Sequence, residues 1–249
     1  MHGAGLYFGW GTLLQIAAIV HWARRRPATF WLWIILFGGA IGSLAYFLIE
    51  GINYDALGRS VHGPSRRRRI RELRLLVRDN PSAGNYEELG ELLLTERKYA
   101  EAKEAFDAAL AQRNDSIDPF YRRGIAELEL GDNEAAVRDF EHVVKHEPKY
   151  DYSRALCLLA QALARSGRVA EAQTAFDRLV QSSTSAESRV AAAEFYADHG
   201  QADQARKLVE DLLARRATMP AFQKRRDRAF LRRASKLLRR LNLNAKAAA

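Results

Sequence analysis

The sequence is poor in cysteine and lacks the common signatures of catalysis. Cys157 is the single cysteine among 249 residues, so neither an internal disulfide nor a cysteine-based metal cluster can form. A Gly-rich phosphate loop and a Gly-x-Ser-x-Gly elbow are also absent. His142 and His146 stand four residues apart, but no third metal ligand is evident beside them. We therefore predict that the chain is not an enzyme and has no catalytic residues, no cofactor and no metal site.

Charge is absent from two long stretches near the N-terminus, Ala4 to Trp22 and Phe30 to Ile49. A helix of about 20 apolar residues is about 30 Å long, which is enough to cross the hydrocarbon core of a bilayer. The pattern therefore predicts a transmembrane helical hairpin over residues 1–51, with helices at about 4–23 and 29–50.

The same region carries a family resemblance. Arg24-Arg25-Arg26-Pro27 precedes Trp31-Leu32-Trp33-Ile34-Ile35, and Gly42 through Tyr46-Phe47-Leu48 follow. With these motifs, residues 4–50 resemble the two-helix membrane anchor called the phospholipase D nuclease N-terminal domain, which also precedes bacterial cardiolipin synthases. The resemblance implies a multi-pass protein of the bacterial inner membrane. It does not imply the activity, because no histidine begins the His-x-Lys-x4-Asp pattern of phospholipase D catalysis.

The orientation of such a hairpin would depend on its flanking arginines. Arg24 to Arg26 favour a cytoplasmic loop between the helices, whereas the larger set at Arg59, 66–69 and Arg71 favours a cytoplasmic C-terminal part. We prefer the second arrangement.

A glycine-containing stretch and then an arginine-rich stretch follow the apolar runs. Residues 52–64 have little periodicity and are predicted to be a linker. Residues 65–81 combine seven arginines with apolar residues at helical spacing, which predicts a basic amphipathic helix packed on the next segment. Its arginines are either a solvated face or candidate contacts to an anionic surface: Arg66, Arg67, Arg68 and Arg69. Nucleic acid is the less favoured ligand, because no aromatic residue is interleaved with these arginines.

The middle of the chain repeats itself with a period of thirty-four residues. The first copy contains Tyr86, Leu89-Gly90, Ala102 and Phe106, and the second contains Phe120, Arg123-Gly124, Ala136 and Phe140. Third and fourth copies follow with small shifts, through Leu159-Ala160, Phe176, Ala192-Ala193 and Val209. Residues 83–219 resemble tetratricopeptide repeats, whose helix–turn–helix unit has this length. Glycine and alanine suit the places where two helices cross closely, and phenylalanine fills the gap between them.

The resemblance implies an all-α fold, a right-handed α-solenoid of about four helix pairs over residues 82–219 with a capping helix at each end. The first helix of each pair would line a concave groove suited to an extended or helical peptide of a partner protein. The residues that the family geometry assigns to this groove are Glu87, Glu91, Leu94, Tyr121, Ile125, Leu128, Gln161, Arg165, Val190, Glu194 and Ala197.

The C-terminal part is strongly basic. Residues 82–186 contain thirteen Lys and Arg against nineteen Asp and Glu, whereas residues 187–249 contain fifteen against seven. Residues 220–241 place apolar side chains on one face and cations on the other, which predicts a basic capping helix before a disordered tail at 242–249. Its candidate contacts to an anionic surface or partner are Arg225, Arg228, Arg232 and Arg239.

Together these patterns predict a membrane-anchored scaffold that binds partner proteins through a tetratricopeptide groove. Two alternatives stay open. An anchor-linked enzyme or subunit of lipid metabolism would explain the N-terminal resemblance, and a nucleic-acid-binding membrane protein would explain the basic ends. The oligomeric state is not readable from these patterns.

Overall fold

A computed structural model of the protein describes residues 4–25, 29–47, 49, 54–113 and 115–248. Within these residues the structure is all-α, and the chain divides into two compact units, residues 1–69 and 70–249. The helices of the described residues are α1 (Ala4–Arg25), α2 (Phe30–Tyr46), α3 (Tyr54–Asp79), α4 (Ala83–Thr95), α5 (Tyr99–Gln112), α6 (Asp118–Leu130), α7 (Asn133–His146), α8 (Tyr150–Arg165), α9 (Val169–Ser182), α10 (Ala186–Asp198), α11 (Ala202–Arg215), α12 (Ala221–Arg226) and α13 (Arg228–Ala248).

In the first unit, α1 and α2 pack against each other around a small apolar core. That core consists of Ala18, Trp31, Ile35 and Tyr46. Helix α2 is interrupted at Gly39, whose φ of 52° and ψ of −132° are not helical. Gln15 Nε2 on α1 donates to the carbonyls of residues 35 and 36, at 2.9 and 3.3 Å. In a regular helix those carbonyls accept from the amides of residues 39 and 40, so the glutamine supplies a donor from α1 at the irregular turn.

The predicted transmembrane hairpin is not supported by this structure. Among the helices of the described residues, none is both long and apolar enough to cross a membrane. Helix α2 has 17 residues, and even unbroken it would reach only about 26 Å. Helix α1 is longer, but Gln15, His21 and a pair of C-terminal arginines dilute its apolar character. The prediction of a multi-pass inner-membrane protein is therefore contradicted, and the resemblance to the phospholipase D anchor is not supported.

Helix α3 begins earlier than the sequence indicated. It starts at Tyr54, so it covers most of the stretch that was predicted as a linker over residues 52–64. Its C-terminal part does pack on the first repeat, since Ile70 and Leu73 share a core with Leu89 and Phe106.

The second unit is the predicted solenoid of four antiparallel helix pairs, α4/α5, α6/α7, α8/α9 and α10/α11. The glycines lie at close helix crossings, as expected. A Cβ atom built on Gly90 would lie 2.7 Å from Cζ of Phe106, and one on Gly124 would lie 3.0 Å from Cε1 of Phe140. A Cβ atom at Gly90 would require the Phe106 ring to shift, and one at Gly124 would be in tight contact with the Phe140 ring, so the small residue and the ring together set the spacing of each of these pairs.

Each pair turns through a residue whose backbone is in the left-handed conformation. Gly131, Gly167 and Gly200 have φ near +80°, and the amide of the following residue donates to a carbonyl five positions back. This is the Schellman arrangement that ends many helices. The first pair has Arg97 at the corresponding position, with φ of +60°, and the amide of Lys98 donates to Leu93 at 2.9 Å. Arg97 therefore adopts a left-handed backbone conformation that has a lower free energy for glycine.

Helix α13 packs on α10 and α11 and extends the stack beyond the fourth pair. Its apolar face enters the main core through Leu231, Ala234, Leu237 and Leu241. The predicted single helix over residues 220–241 is divided at Asp227, because α12 ends at Arg226 and α13 starts at Arg228. Helix α13 continues to Ala248, where the sequence predicted a disordered tail.

A charged network lies between the first and second pairs. Arg123 donates from Nε and Nη2 to both carboxylate oxygens of Asp139, at 2.7 Å each, and from Nη1 to Asp107 at 2.7 Å. Glu127 is 3% exposed, and its Oε2 has no hydrogen-bond partner. The nearest cations, Arg123 and Lys103, lie 3.9 Å from its other oxygen. Burial, together with the Asp139 carboxylate, raises the pKa of Glu127 to about 7.

We predict that glycine at position 97 stabilises the protein. Arg97→Gly should raise the free energy of unfolding by roughly 1 kcal/mol, because it relieves the left-handed backbone of a residue with a Cβ. Gly131→Ala is the matched opposite change and should lower it by a similar amount. Urea denaturation of both variants checks this, and destabilisation by Arg97→Gly would contradict it.

We also predict a pH dependence that originates at Glu127. The folded-state pKa is raised, so this carboxyl favours folding below its ordinary pKa, and that contribution is lost as the pH rises to about 7. Glu127→Gln should therefore be more stable than the wild type at pH 8, by roughly 1 to 3 kcal/mol, and nearly unchanged at pH 4.5.

The exposed Glu129→Gln on the same helix is the control, and it should show no such pH-dependent gain. Denaturant titrations of the three proteins across this pH range give the measurement. An equal effect of Glu127→Gln at both pH values would contradict the assignment.

Candidate partner-binding surface

The first helices of the four pairs, α4, α6, α8 and α10, lie side by side and form one continuous surface of the solenoid. The residues predicted to line it divide into two groups. Tyr121, Leu128 and Val190 are buried in the core, with Val190 at 0% exposure, so they support the surface from beneath. Arg165 is exposed, and the others are half-buried and reach the surface: Glu87, Glu91, Leu94, Ile125, Gln161, Glu194 and Ala197.

Ion pairs connect neighbouring helices across the first half of this surface. Arg122 Nε on α6 lies 3.0 Å from Glu91 Oε1 on α4 and 2.7 Å from Asp118 Oδ2 in its own helix. The hydroxyl of Tyr150 on α8 donates to the other oxygen of Asp118. Of the residues in this chain of contacts, only Glu91 was predicted from the sequence. The repeat period does not identify Arg122, because it lies thirty-four residues after Glu88, which is outside the predicted groove set.

A second tyrosine makes an equivalent contact beside the first. The hydroxyl of Tyr121 donates to Asp151 Oδ2 at 2.8 Å. Burial and the hydrogen bond to a carboxylate raise the pKa of Tyr121, and the same two causes raise that of Tyr150. Both hydroxyls therefore remain protonated and donate to their carboxylates at physiological pH.

Further ion pairs connect the second half of the surface. Arg154 Nε on α8 lies 3.4 Å from Glu187 on α10. Glu194 on α10 pairs with Arg233 on α13, and Asp198 lies 3.0 Å from Arg240. These pairs are largely exposed, so each contributes at most about 1 kcal/mol to stability. They can exchange one partner for another at low cost.

A small pocket opens between α8 and α10. Its volume is about 220 Å³, and its apolar wall comes from Ala164, Ala191, Phe176 and Phe195, with His199 stacked on Phe195 at 4.1 Å between ring centroids. Arg165 and Asp198 supply one positive and one negative group at its lining. This size suits a single side chain of a peptide better than a whole small molecule. Phe195 and Asp198 were not among the groove residues predicted from the sequence.

The single cysteine and the two neighbouring histidines have structural surroundings. Cys157 is fully buried, Gln161 lies 3.2 Å from its sulfur, and burial raises the pKa of the thiol to about 11. A thiol in that state is a poor nucleophile. His142 stacks on Phe120, and within the described parts of the chain no cluster of three or more metal-ligating side chains occurs.

The two predicted sets of anionic-surface contacts fall in different units. Residues 66–69 end the first unit, and three of these four arginines, Arg66, Arg68 and Arg69, already have interactions of their own. The second set lines a groove at the C-terminal end of the solenoid: Arg225, Arg228, Arg232 and Arg239.

Comparisons with known proteins agree with the fold. Residues 121–187 match the family model for the tetratricopeptide repeat. The rat (Rattus norvegicus) DnaJ homolog subfamily C member 3 is 32% identical over 106 residues, which are 43% of this chain and 21% of that protein. The chain thus spans about a fifth of this curated relative.

Solved structures are similar to this chain over a larger part of its length. A MamA fragment from Desulfovibrio magneticus RS-1 has a TM-score of 0.59 at 18% identity and covers 67% of this chain and 94% of its own. YrrB, described as a TPR protein with an unusual peptide-binding site, has a TM-score of 0.54 at 20% identity and covers 79% and 90%. The helix pairs therefore have the tetratricopeptide repeat fold.

We predict that Cys157 does not react in the native protein. A thiol-specific reagent at pH 8 should modify less than about a tenth of it in the time that modifies all of the urea-unfolded protein, because the native group is buried and un-ionised. Absorbance with a disulfide reagent measures both rates. Rapid modification without unfolding would contradict the buried state.

Proposed function

We propose that this protein is an interaction scaffold that binds an extended segment of a partner protein on the concave surface of its solenoid. The observation that supports this most directly is the pocket between α8 and α10, which lies on that surface and joins an apolar wall to Arg165 and Asp198. Repeat solenoids commonly use such concave surfaces for binding. That YrrB, which has the same fold, is described as having a peptide-binding site is consistent with the proposal.

The proposed contacts are those predicted residues that reach the surface. Glu91 and Glu194 would exchange their present partners, Arg122 and Arg233, for groups on the incoming peptide. Leu94 and Ile125 would supply apolar contact, and Gln161 would contribute hydrogen bonds beside the pocket. We keep the prediction that the chain is not an enzyme as part of this proposal.

The alternative of a lipid-metabolism enzyme or subunit loses its basis. It depended on the membrane anchor, and the described helices do not include one that could cross a membrane. The nucleic-acid alternative depended on the basic ends of the chain, and the experiment on the C-terminal groove tests it below.

A peptide selection can test the proposal. Peptides of about twelve residues are selected from a random phage library on the full chain, and their affinities are measured by fluorescence anisotropy. Ala164→Trp fills the pocket and should weaken the selected peptides at least tenfold. Ala170→Trp, at an exposed position on the second helix α9, is the control and should leave binding unchanged.

Two results would overturn the proposal. One is that no peptide is enriched on the full chain. The other is that enriched peptides bind the Ala164→Trp variant as tightly as the wild type, which would place their site elsewhere. Circular dichroism of both tryptophan variants must first show an unchanged helix content.

A further inference from the structure

A second groove lies at the C-terminal end of the solenoid, apart from the pocket between α8 and α10. Its volume is about 610 Å³, and seven of its nine lining side chains are cationic. We call it the basic terminal groove. Its cations come from the end of α11, from α12 and from α13, and they include Arg216, Lys224, Arg225, Arg228, Arg232 and Arg239.

Among the residues that the structure describes, the cations of this groove have no carboxylate partners, whereas other arginines nearby do. Arg226, Arg233 and Arg240 are paired with Asp227, Glu194 and Asp198. No carboxylate of the described residues forms an ion pair with any of the groove cations, and Lys224 Nζ donates only to the carbonyl of Ala217. Like charges that are held together without compensation create a strong local positive potential. The groove is therefore complementary to a negatively charged ligand.

The position of the groove indicates the shape of that ligand. In each of the four pairs, a second helix covers the first, but in the described residues only the six-residue α12 accompanies α13 in this way. The uncovered face of α13 exposes cations at residues 228, 232, 236 and 239. Steps of three and four residues along a helix are about 5 to 6 Å, so the row is about 17 Å long. An antiparallel helix with carboxylates at the same steps in reverse order would match it.

The chemistry of the lining favours a protein ligand over a nucleic acid. The two lining residues that are not cationic are Leu231 and Ser235, so no aromatic side chain is present on which a base could stack. Leu231 is buried and Ser235 is half-buried, so both sit beneath the row of cations. Leu231 and Ser235 thus form the bottom of the groove, and the cations form its rim. This arrangement suits an amphipathic helix, which combines small or apolar residues with acidic ones.

We propose that the basic terminal groove binds an acidic helix of a partner protein. The helix presents Asp or Glu at three- and four-residue spacing to Arg228, Arg232 and Arg239, and its neighbouring small residues face Leu231. This proposal goes beyond the concave surface and does not depend on it.

The test uses the full chain and two fluorescein-labelled helical peptides on an alanine background. One carries four glutamates at positions i, i+3, i+7 and i+11, which is the spacing of the cation row read in the antiparallel direction, and the other carries glutamines in their place. The triple variant R228Q, R232Q and R239Q removes three charges from the groove. The matched control R138Q, K145Q and R178Q removes three exposed charges from the second helices α7 and α9.

The wild type and the control triple variant should bind the glutamate peptide with similar affinity, and neither should bind the glutamine peptide measurably. The groove triple variant should lose at least tenfold in affinity, and the dependence of its residual binding on salt should be weaker. Ala164→Trp, which fills the concave pocket, should leave this binding unchanged, so failure here and failure of the concave surface are distinguishable.

Three outcomes would overturn the proposal. The glutamate peptide could fail to bind the wild type. The two triple variants could lose the same affinity, which would show a general attraction between charges. A dT20 single strand could bind more tightly than the peptide and be weakened by the groove triple variant alone, which would assign the groove to nucleic acid.

Discussion

The first three helix pairs of the solenoid depend on a close contact between a small residue on the first helix and an aromatic ring on the second. Gly90 with Phe106 and Gly124 with Phe140 are the clearest cases, because a Cβ atom at either glycine would meet the ring. The third pair has Ala160 and Phe176 at the corresponding positions, and both are buried. Since this contact sets the distance between the two helices of a pair, it helps to position the first helices, which form the continuous surface of the solenoid.

Charged side chains such as Arg123 and Asp139 are paired with opposite charges in the interior, but those of the basic terminal groove are not, as far as the described residues show. In the interior, the Arg123 guanidinium donates hydrogen bonds to both Asp139 and Asp107. The neighbouring Glu127 carboxyl receives no such hydrogen bond from Arg123, and its pKa is raised. Across the surface formed by the first helices, pairs such as Glu91 with Arg122 connect successive helices. At the end of the stack no such pairing of the basic terminal groove occurs among the described residues. The excess of positive charge in the C-terminal part of the sequence is thus concentrated in one groove.

Some features were predictable because they depend on local spacing, and others were not. The helix pairs, their glycines and the packing of Ile70 and Leu73 follow from periodicity within short stretches. The membrane hairpin is not supported, because a count of apolar residues does not show where a helix ends, and α2 has only 17 residues and is interrupted at Gly39. Tyr121 was expected in the groove but lies in the core, since Tyr150 of the next pair packs on it at 4.9 Å between ring centroids.

The sequence by itself determined the repeat, its period, the residues of each helix crossing and the uneven distribution of charge, because these are patterns along the chain. Only the tertiary structure decided which charges are compensated and which are not. Arg233 and Arg239 lie six residues apart on one basic helix, yet the first pairs with Glu194 and the second lines the open groove. The difference arises because helix packing brings α10 against one side of α13, and residues thirty-nine positions apart meet only there.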